Sequence, residues 1–440
     1  MDFEGVSRRG VLGGVVAAMA GGGCLASGQR PKPRASDWPQ RGYDAGGTNF
    51  KSVGDPPIDD PTIAWETQVS TAWPETIDAA HLLVADGTVY TSGGTVLSLE
   101  TGAVRAQTDC VGPSLRAVAQ TTAYSDGVLV ADGLGRNIRP LVGIRPSFGS
   151  GTSCETLVRW RAGARSDIDP LIEDIRVTDG EILATVHALD APEPNGRSQL
   201  LSIDPNDGAI NWWRPLADVA QRLYVDETYV YVHHGLLDTD DGGIEHLFEV
   251  VDWETRETVY EHLPDVDGHW MAAEYGVFLG VRDGVAYRTD FEHREETPHF
   301  APHLVAFDVE AGEPRWRVDL TEYEDYESDV RPDNPFNAVF AAAIAPDTVF
   351  VSFGHGMVGA FSTADGSVRW TRERDLWDLT ATPDALYGRH HSTLYCLDAG
   401  TGETRFSGGI GEGKSAGPPV VAGSRLLVQF GQRLVALEAA

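Results

Sequence analysis

Lysine is nearly missing from this chain of 440 residues, being present only as Lys32, Lys51 and Lys414. Arginine does not make up the deficit: 34 basic residues face 66 acidic ones, leaving a formal charge of -32. A balance of that sign excludes nucleic acid as a partner, and it excludes a polybasic hold on anionic lipid. The acidity is spread along the whole chain, which is the expectation for a protein of an extreme halophile, where salt screens the self-repulsion. An ordinary acidic extracellular protein is the alternative. Cysteine is equally sparse, with Cys24, Cys110, Cys154 and Cys396 and no two adjacent. No Asn-x-Ser/Thr sequon occurs, so N-glycosylation is not expected, and no His-Glu-x-x-His zinc motif occurs. The longest small and apolar run, Val11 to Gly23, is shorter than the roughly 20 residues a membrane-spanning helix needs.

That run belongs to a targeting segment. Arg8 and Arg9 begin the pattern Ser7-Arg8-Arg9-x-x-Leu12, the apolar run follows, and Cys24 stands directly at its end. Residues 1–23 therefore read as a twin-arginine lipoprotein signal with Cys24 as the lipidated thiol, although Gly21 occupies a place where such signals usually carry an aliphatic residue. Residues 24–36, Pro-rich and basic, read as a flexible tether. The expected location is the extracellular face of the cytoplasmic membrane, held by the lipid alone, with secretion if Cys24 is not lipidated. Disulfides are permitted there. The remaining three cysteines allow one bridge; Cys110 with Cys154 is the preferred pair, and three buried free thiols are the alternative.

From residue 37 to 440 one unit recurs: an apolar strand, a turn of the Asp-Gly kind, a strand rich in Val and Tyr, a second turn, a strand like "LVAFD", a third turn, and a strand with an aromatic residue. First turns fall at Asp86-Gly87, Asp126-Gly127, Asp179-Gly180, Asp226-Glu227, Tyr275-Gly276, Asp347-Thr348, Asp384-Ala385 and Gly423-Ser424. A period of about 40–50 residues with four strands in each is that of a β-propeller. Third turns fall at Thr101-Gly102, Asp207-Gly208, Ala311-Gly312, Asp365-Gly366 and Thr401-Gly402, with Thr255-Arg256 as a degenerate copy. Four residues beyond each stands Ala106, Trp212, Trp316, Trp370, Phe406 or Tyr260. Even spacing puts that side chain on one face of the outer strand, where it can pack between neighbours. The last repeat lacks an outer strand, and "TIAWETQV", containing Trp65, supplies it from the other end of the chain. The expectation is an all-β, eight-bladed propeller of four-stranded antiparallel blades closed by an N-terminal strand, with seven blades as the alternative.

The phrase L-x-A-L/F-D-x-x-T/A-G-x-x-x-W, the lead-in "DWPQRGYDAGGTNF" and the closing "RLVALEAA" resemble the PQQ-like repeat propellers. In shape the resemblance extends to the lipoprotein propeller of outer-membrane assembly, here of a haloarchaeal type, and to the quinoprotein alcohol dehydrogenases. The second of these would imply pyrroloquinoline quinone, a calcium ion and a vicinal disulfide. No cysteines are adjacent, and no carboxylate cluster stands out as calcium ligands, so neither cofactor nor metal is expected and the chain reads as noncatalytic. His233-His234 and His390-His391 read as surface or turn residues, and the glycines as turn glycines rather than parts of a phosphate loop or nucleophile elbow.

Extra length falls on the face bearing the second turns and the links between blades. It comprises Val186 to Gln199, His233 to His246, Val281 to His303 and Asp319 to Ala341. Long connections on one face of a rigid scaffold are where binding resides. The candidate binding face comprises Phe291, His299, Phe300, Tyr323, Tyr326 and Phe336 in the fifth blade's insertions. Trp73, His269, Trp270 and Trp377 join it from the blade links. Arg288 to Pro298 is expected to be dispensable for the blade core. A monomeric recognition module for an unidentified protein or surface polymer is the leading expectation. A quinone-dependent oxidoreductase and a carbohydrate or small-ligand binder are the alternatives.

Overall fold

The computed structural model describes residues 37–70, 82–108, 115–131, 141–146, 153–162, 170–178, 180–188, 198–216, 220–238, 244–262, 278–293, 300–323, 341–353, 356–409 and 418–440. Their strands form eight four-stranded antiparallel sheets. Seven are consecutive meanders: residues 82–107, 115–161, 170–215, 220–262, 278–319, 341–373 and 377–409, here blades 1 to 7. Blade 8 joins Val420–Ala422, Arg425–Phe430 and Arg433–Glu438 to the N-terminal strand Thr62–Gln68, which pairs antiparallel with Arg433–Glu438. The ring thus closes with a strand borrowed from the start of the chain, as the repeats predict, and eight blades replace the alternative of seven.

Burial follows the radial position of each strand. Inner and second strands such as Leu82–Ala85, Thr88–Thr91 and Val128–Ala131 are buried at every residue, because a neighbouring blade covers each face. Outer strands bury one face: in Val104–Gln107 only Ala106 is buried, and in Glu313–Asp319 only Trp316. The buried outer-strand ring lies on the third turn of the next blade. Trp65 packs on Gly102, Trp160 on Gly208, Trp316 on Gly366 and Trp370 on Gly402, and each indole N–H donates 2.9 Å to a carbonyl in that same stretch, of Leu99, Pro205, Thr363 and Ala399 respectively. The third-turn glycines have φ between 66° and 77°. A Cβ at Gly402 would stand 2.6 Å from the Trp370 ring, whereas at Gly312 the nearest atom, in Tyr260, is 3.7 Å away. Gly402→Ala is therefore expected to cost about 3 kcal/mol, combining backbone strain with a clash, and Gly312→Ala only about 1 kcal/mol. Urea unfolding of the two variants checks the difference.

Residues 38–55, most of them in the lead-in phrase, form a girdle across one end of the channel and bond to every blade in turn. Trp38 N donates to Val84 O at 2.7 Å, Val118 N to Pro39 O at 2.7 Å, and the Gln40 amide exchanges two bonds with Val177. Val225 N then reaches Ala45 O, Val281 N reaches Gly46 O, Ile344 N reaches Thr48 O, and Ala381 N reaches Asn49 O. Lys51 Nζ donates to Val421 O, and Asp55 N to Gly423 O, in blade 8. The partners stand at or next to the C-terminal ends of the inner strands, so the girdle seals the face of the first turns. Gly46 and Gly47 let the chain pass here, since a Cβ would meet Val281 O at 2.4 Å and the Tyr224 ring at 2.6 Å.

One first turn differs from the sequence expectation. Tyr275-Gly276 lies outside the described residues, and the first turn of blade 5 is Asp283-Gly284, with φ of 51° and 74°. Two successive positive φ values make the tight turn whose twist suits a hairpin, and Asp-Gly is the pair that adopts it.

Candidate functional site

The opposite face carries the second turns, and there the blades differ. In blade 6 the second hairpin joins Thr348–Phe353 to Met357–Ser362. In blade 4 it joins Tyr229–Asp238 to Ile244–Asp252, and in blade 5 Val285–His293 to Phe300–Asp308, the last pair being Phe300 with His293. Blade 3 contributes Ile182–Ala188 and Ser198–Ile203. Of the lengths read as loop insertions, His233 to His246 and Val281 to His303 are thus largely continued strand, whereas the blade 3 strands, Ile182–Ala188 and Ser198–Ile203, are about as long as those of blade 6 and residues 189–197 lie outside the described residues. Alternating Val, Tyr, Phe and Thr carries the ladder outward. Two adjacent blades, 4 and 5, so raise a wall on one side of this face.

A buried ionic group ties blade 4 to blade 3 at the base of the wall. Arg214 of blade 3 pairs with Glu249 of blade 4, and Glu249 also accepts from Thr258 Oγ1 at 2.7 Å and lies 3.4 Å from His234 Nε2. Burial pushes the Glu249 carboxyl up, but hydrogen bonds from His234 and Thr258 and the Arg214 charge outweigh it and hold the group below the usual carboxylate range. Next to it Trp212 meets the Arg256 guanidinium 4.5 Å from its ring centroid and Trp253 edge-on. Arg256, at φ 67°, fills the place that glycine holds in other blades, and the Trp212 indole N–H is left without the carbonyl its counterparts find.

Few of the candidate side chains are brought together. Phe291 and Phe300 lie in the paired strands of the blade 5 hairpin, opposite Pro302 and His293. Tyr323 ends a short 3-10 helix, Leu320–Tyr323, and its ring packs edge-on against Phe361 at 5.8 Å, anchored on the core between blades 5 and 6. Trp377 begins the inner strand of blade 7 and meets His390 and His391 edge-on at 5.5 and 4.8 Å, while His390 Nε2 lies 3.3 Å from Asp375. His299, Tyr326, Phe336, Trp73, His269 and Trp270 lie outside the described residues, as do Arg8, Arg9, Cys24 and Cys110. Cys154 begins a short helix, Cys154–Leu157. Cys396 is a buried free thiol inside blade 7, and burial pushes it up to about 12.

Three further expectations change. Arg288 to Pro298 is not dispensable in full: Thr289 is buried, and the Arg288 guanidinium lies 5.7 Å from the Phe307 ring centroid. The face of the first turns is not featureless, because a cavity of about 580 Å³ lies there between the girdle and the turns of blades 2 to 5, lined by Tyr43, Asp44, Gln120, Asp226, Trp253 and Arg282 among others. It arises where the girdle dips at Asp44–Gly46, a contour no loop length announces. Finally, "GGIGEGKS", Gly408 to Ser415, has the spacing of a phosphate loop, against the assignment of all glycines to turns. Gly408 and Gly409 end an antiparallel outer strand, Thr404–Gly409, whereas a phosphate loop follows a strand of a parallel sheet and opens a helix. Among the described residues no three His, Cys, Asp or Glu side chains converge as a metal site, and Cys396 is enclosed within its blade.

Comparison with known proteins agrees with the architecture. Residues 301–383 match the family described as outer membrane protein assembly factor BamB. No curated protein matches the chain in sequence. Among solved structures, BamB from Moraxella catarrhalis is 14% identical with a TM-score of 0.50, covering 86% of this chain and 98% of its own. Quinohemoprotein alcohol dehydrogenase from Comamonas testosteroni is 12% identical with a TM-score of 0.57, covering 92% and 80%. A computationally designed protein, Ika8, is 12% identical with a TM-score of 0.52, covering 84% and 100%. At such identities the likeness is one of fold. Repeat phrase, eight blades, tryptophan docking and family match together define a β-propeller. Over residues 301–383 the chain is similar to the PQQ-like repeat propellers.

Proposed function

We propose that this propeller is a noncatalytic recognition module, exported and anchored through Cys24, whose protein partner docks on the wall raised by blades 4 and 5. The observation that carries the reading is the wall itself: the hairpins of two neighbouring blades lengthen together on one face of a rigid ring, well beyond the second hairpin of blade 6. The ionic group of Arg214, Glu249 and His234 fixes the blade 4 hairpin to blade 3, which lowers the ordering cost of binding. The match of residues 301–383 to an assembly factor supports a protein partner. Among the described residues no helix is long and apolar enough to cross a membrane, which accords with a lipid as the anchor.

The register supplies a clean test. Phe291 pairs with Pro302, so replacing Glu292–Ala301 by an Asn-Gly turn shortens the blade 5 hairpin and leaves Arg288 and Thr289 in place. Affinity capture from native membranes at high salt is expected to lose the partner with this variant while its melting curve stays cooperative. Undiminished capture would remove the wall from consideration. Stoichiometric binding of pyrroloquinoline quinone with calcium, accompanied by dye-linked alcohol oxidation, would put the oxidoreductase reading first.

A further inference from the structure

We infer that the cavity between the girdle and the first turns of blades 2 to 5 is a binding site for a small organic cation, a protonated amine carried on an apolar body. Its volume of about 580 Å³ lies within the range of about 300–1,000 Å³ in which small-molecule sites fall. Much of the wall is apolar. Val118, Val177, Val225 and Val281 stand at or next to the C-terminal ends of four successive inner strands, and Trp253 adds a ring. Backbone bonds to the girdle hold that wall in shape: Val118 N to Pro39 O at 2.7 Å, and Val225 N to Ala45 O and Val281 N to Gly46 O at 2.9 Å each. Trp253 is held in turn by Trp212, edge-on at 6.3 Å, and by the Arg256 guanidinium 5.4 Å from its ring centroid. A ligand therefore meets a bowl that is already formed.

The sign of the ligand follows from the charged side chains of the lining. Arg282 is its one basic residue and is engaged, since Nη1 donates to Ile344 O at 2.9 Å and Nε lies 3.7 Å from the Asp283 carboxylate. Against it stand Asp37, Asp44, Asp226, Glu227 and Asp283. Three of these are accounted for. Asp283 has Arg282; Asp37 accepts from Asp86 N at 3.2 Å, with the Lys51 ammonium 2.6 Å from its carbonyl; Asp226 accepts from Thr228 N and Tyr229 N at 2.8 Å and from the Tyr231 hydroxyl. Asp44 and Glu227 remain, and among the described residues neither makes an ion pair. Asp44 accepts from Thr48 N at 2.9 Å and Thr48 Oγ1 at 2.6 Å, while the Arg282 and Arg176 charges act on it from farther off. A carboxylate offers about four lone-pair positions, so Thr48 fixes the group and leaves part of it open to a further donor. Burial pushes the Asp44 carboxyl up, which an ammonium placed against it would reverse. An anion would meet these carboxylates unfavourably. A bare metal ion has no set of ligands here, since no three His, Cys, Asp or Glu side chains converge among the described residues. Lys51 shows what the neighbourhood accepts: its ammonium lies 5.3 Å from the centroid of Tyr43, a ring that also lines the cavity.

This inference does not rest on the docking reading, since cavity and wall lie on opposite faces of the ring. Phenethylammonium, an ammonium on an aromatic body, is the probe, with phenethyl alcohol and 3-phenylpropionate as its neutral and anionic counterparts. Calorimetry in one high-salt buffer is expected to show one amine site per chain, with the alcohol at least about tenfold weaker and the anion silent. Tm should rise with the logarithm of amine concentration once the site begins to fill. Asp44→Asn, which keeps an acceptor for Thr48 N, is expected to lower the affinity for the amine at least about tenfold and to leave that for the alcohol unchanged. Trp253→Leu should weaken both alike. A merely structural defect would not separate amine from alcohol in this way, and the melting curve of each variant reports its folding. The inference is overturned if the amine gives neither heat nor a rise in Tm, if 3-phenylpropionate binds as tightly, or if Asp44→Asn binds the amine as wild type does. Should Asp44→Asn fail to fold, an affinity for the amine unmoved by Trp253→Leu overturns it instead. Partner capture by Asp44→Asn is expected to be undiminished, so failure here leaves the docking reading standing.

Discussion

A chain lacking residues 37–68 is expected to lose its single sharp melting transition and to elute as a self-associated species in gel filtration. The deletion strips the girdle from all eight blades and removes Thr62–Gln68 from blade 8, so that Arg433–Glu438 becomes an open strand edge. It also uncovers Gly102, on which Trp65 packs. Each lost internal hydrogen bond contributes about 1 kcal/mol net, and the buried rings of Trp38, Phe50 and Trp65 contribute about 2 kcal/mol or more each. The sum is on the order of 10 kcal/mol, comparable with the whole stability of an ordinary domain. An unpaired apolar edge is moreover a template for pairing with another chain. Deleting only residues 37–55, which spares the closing strand, should retain the monomeric ring at a lower Tm. A sharp transition at the wild-type temperature in the longer deletion would show that ring and girdle are energetically independent.

Replacing Lys51 should have the next largest effect. Its side chain is fully buried, its Nζ donates to Asp37 O at 2.6 Å and to Val421 O at 2.9 Å, and it lies 5.3 Å from the Tyr43 ring centroid and 5.9 Å from that of Trp38. One ammonium thus joins the first residue of the girdle to the last blade. Lys51→Ala leaves two carbonyls without a donor and a cavity between the rings, a loss of about 3–5 kcal/mol. Burial draws the Lys51 ammonium down to about 8, against 10.5 in the unfolded chain. Between those values the unfolded chain holds more protons than the folded one, so stability rises with pH. The contribution is fully present above about 10.5 and is lost as pH falls towards 8, with a span of about 3 kcal/mol at most. Tm measured across that window should climb in the wild-type protein relative to Lys51→Met, and parallel curves would place the titration elsewhere.

Much of the ring could be read before any coordinate was known, because a propeller writes its geometry into local spacing. The glycine and the ring four residues on occupy adjacent turns of strand and hairpin, so Trp316 and Trp370 announce themselves. Trp160 does not: it docks on Gly208 as its counterparts dock on theirs, yet no glycine turn precedes it at the usual interval. Tyr275-Gly276 and Asp283-Gly284 both look like first turns, and only the pairing of Phe278–Arg282 with Val285–His293 decides between them. Loop and strand were confused in blades 4 and 5 because a long hairpin and a long insertion have the same length in sequence. The lead-in phrase was visible as a motif, but its circuit was not, since Pro39 and Asn49 meet partners at Val118 and Ala381.

The girdle also sets a timetable. Residues 37–68 leave the ribosome before every blade they will bind, and the strand that receives Thr62–Gln68 is made only after the seven other blades. Until Arg433–Glu438 emerges, the leading segment has no finished seat, and seven blades must wait side by side without closure. Contacts that join the two ends of a chain are slow to form and expose edges while they are pending. Closure of the ring and sealing of the channel therefore wait together for the eighth blade, however early the other seven have folded.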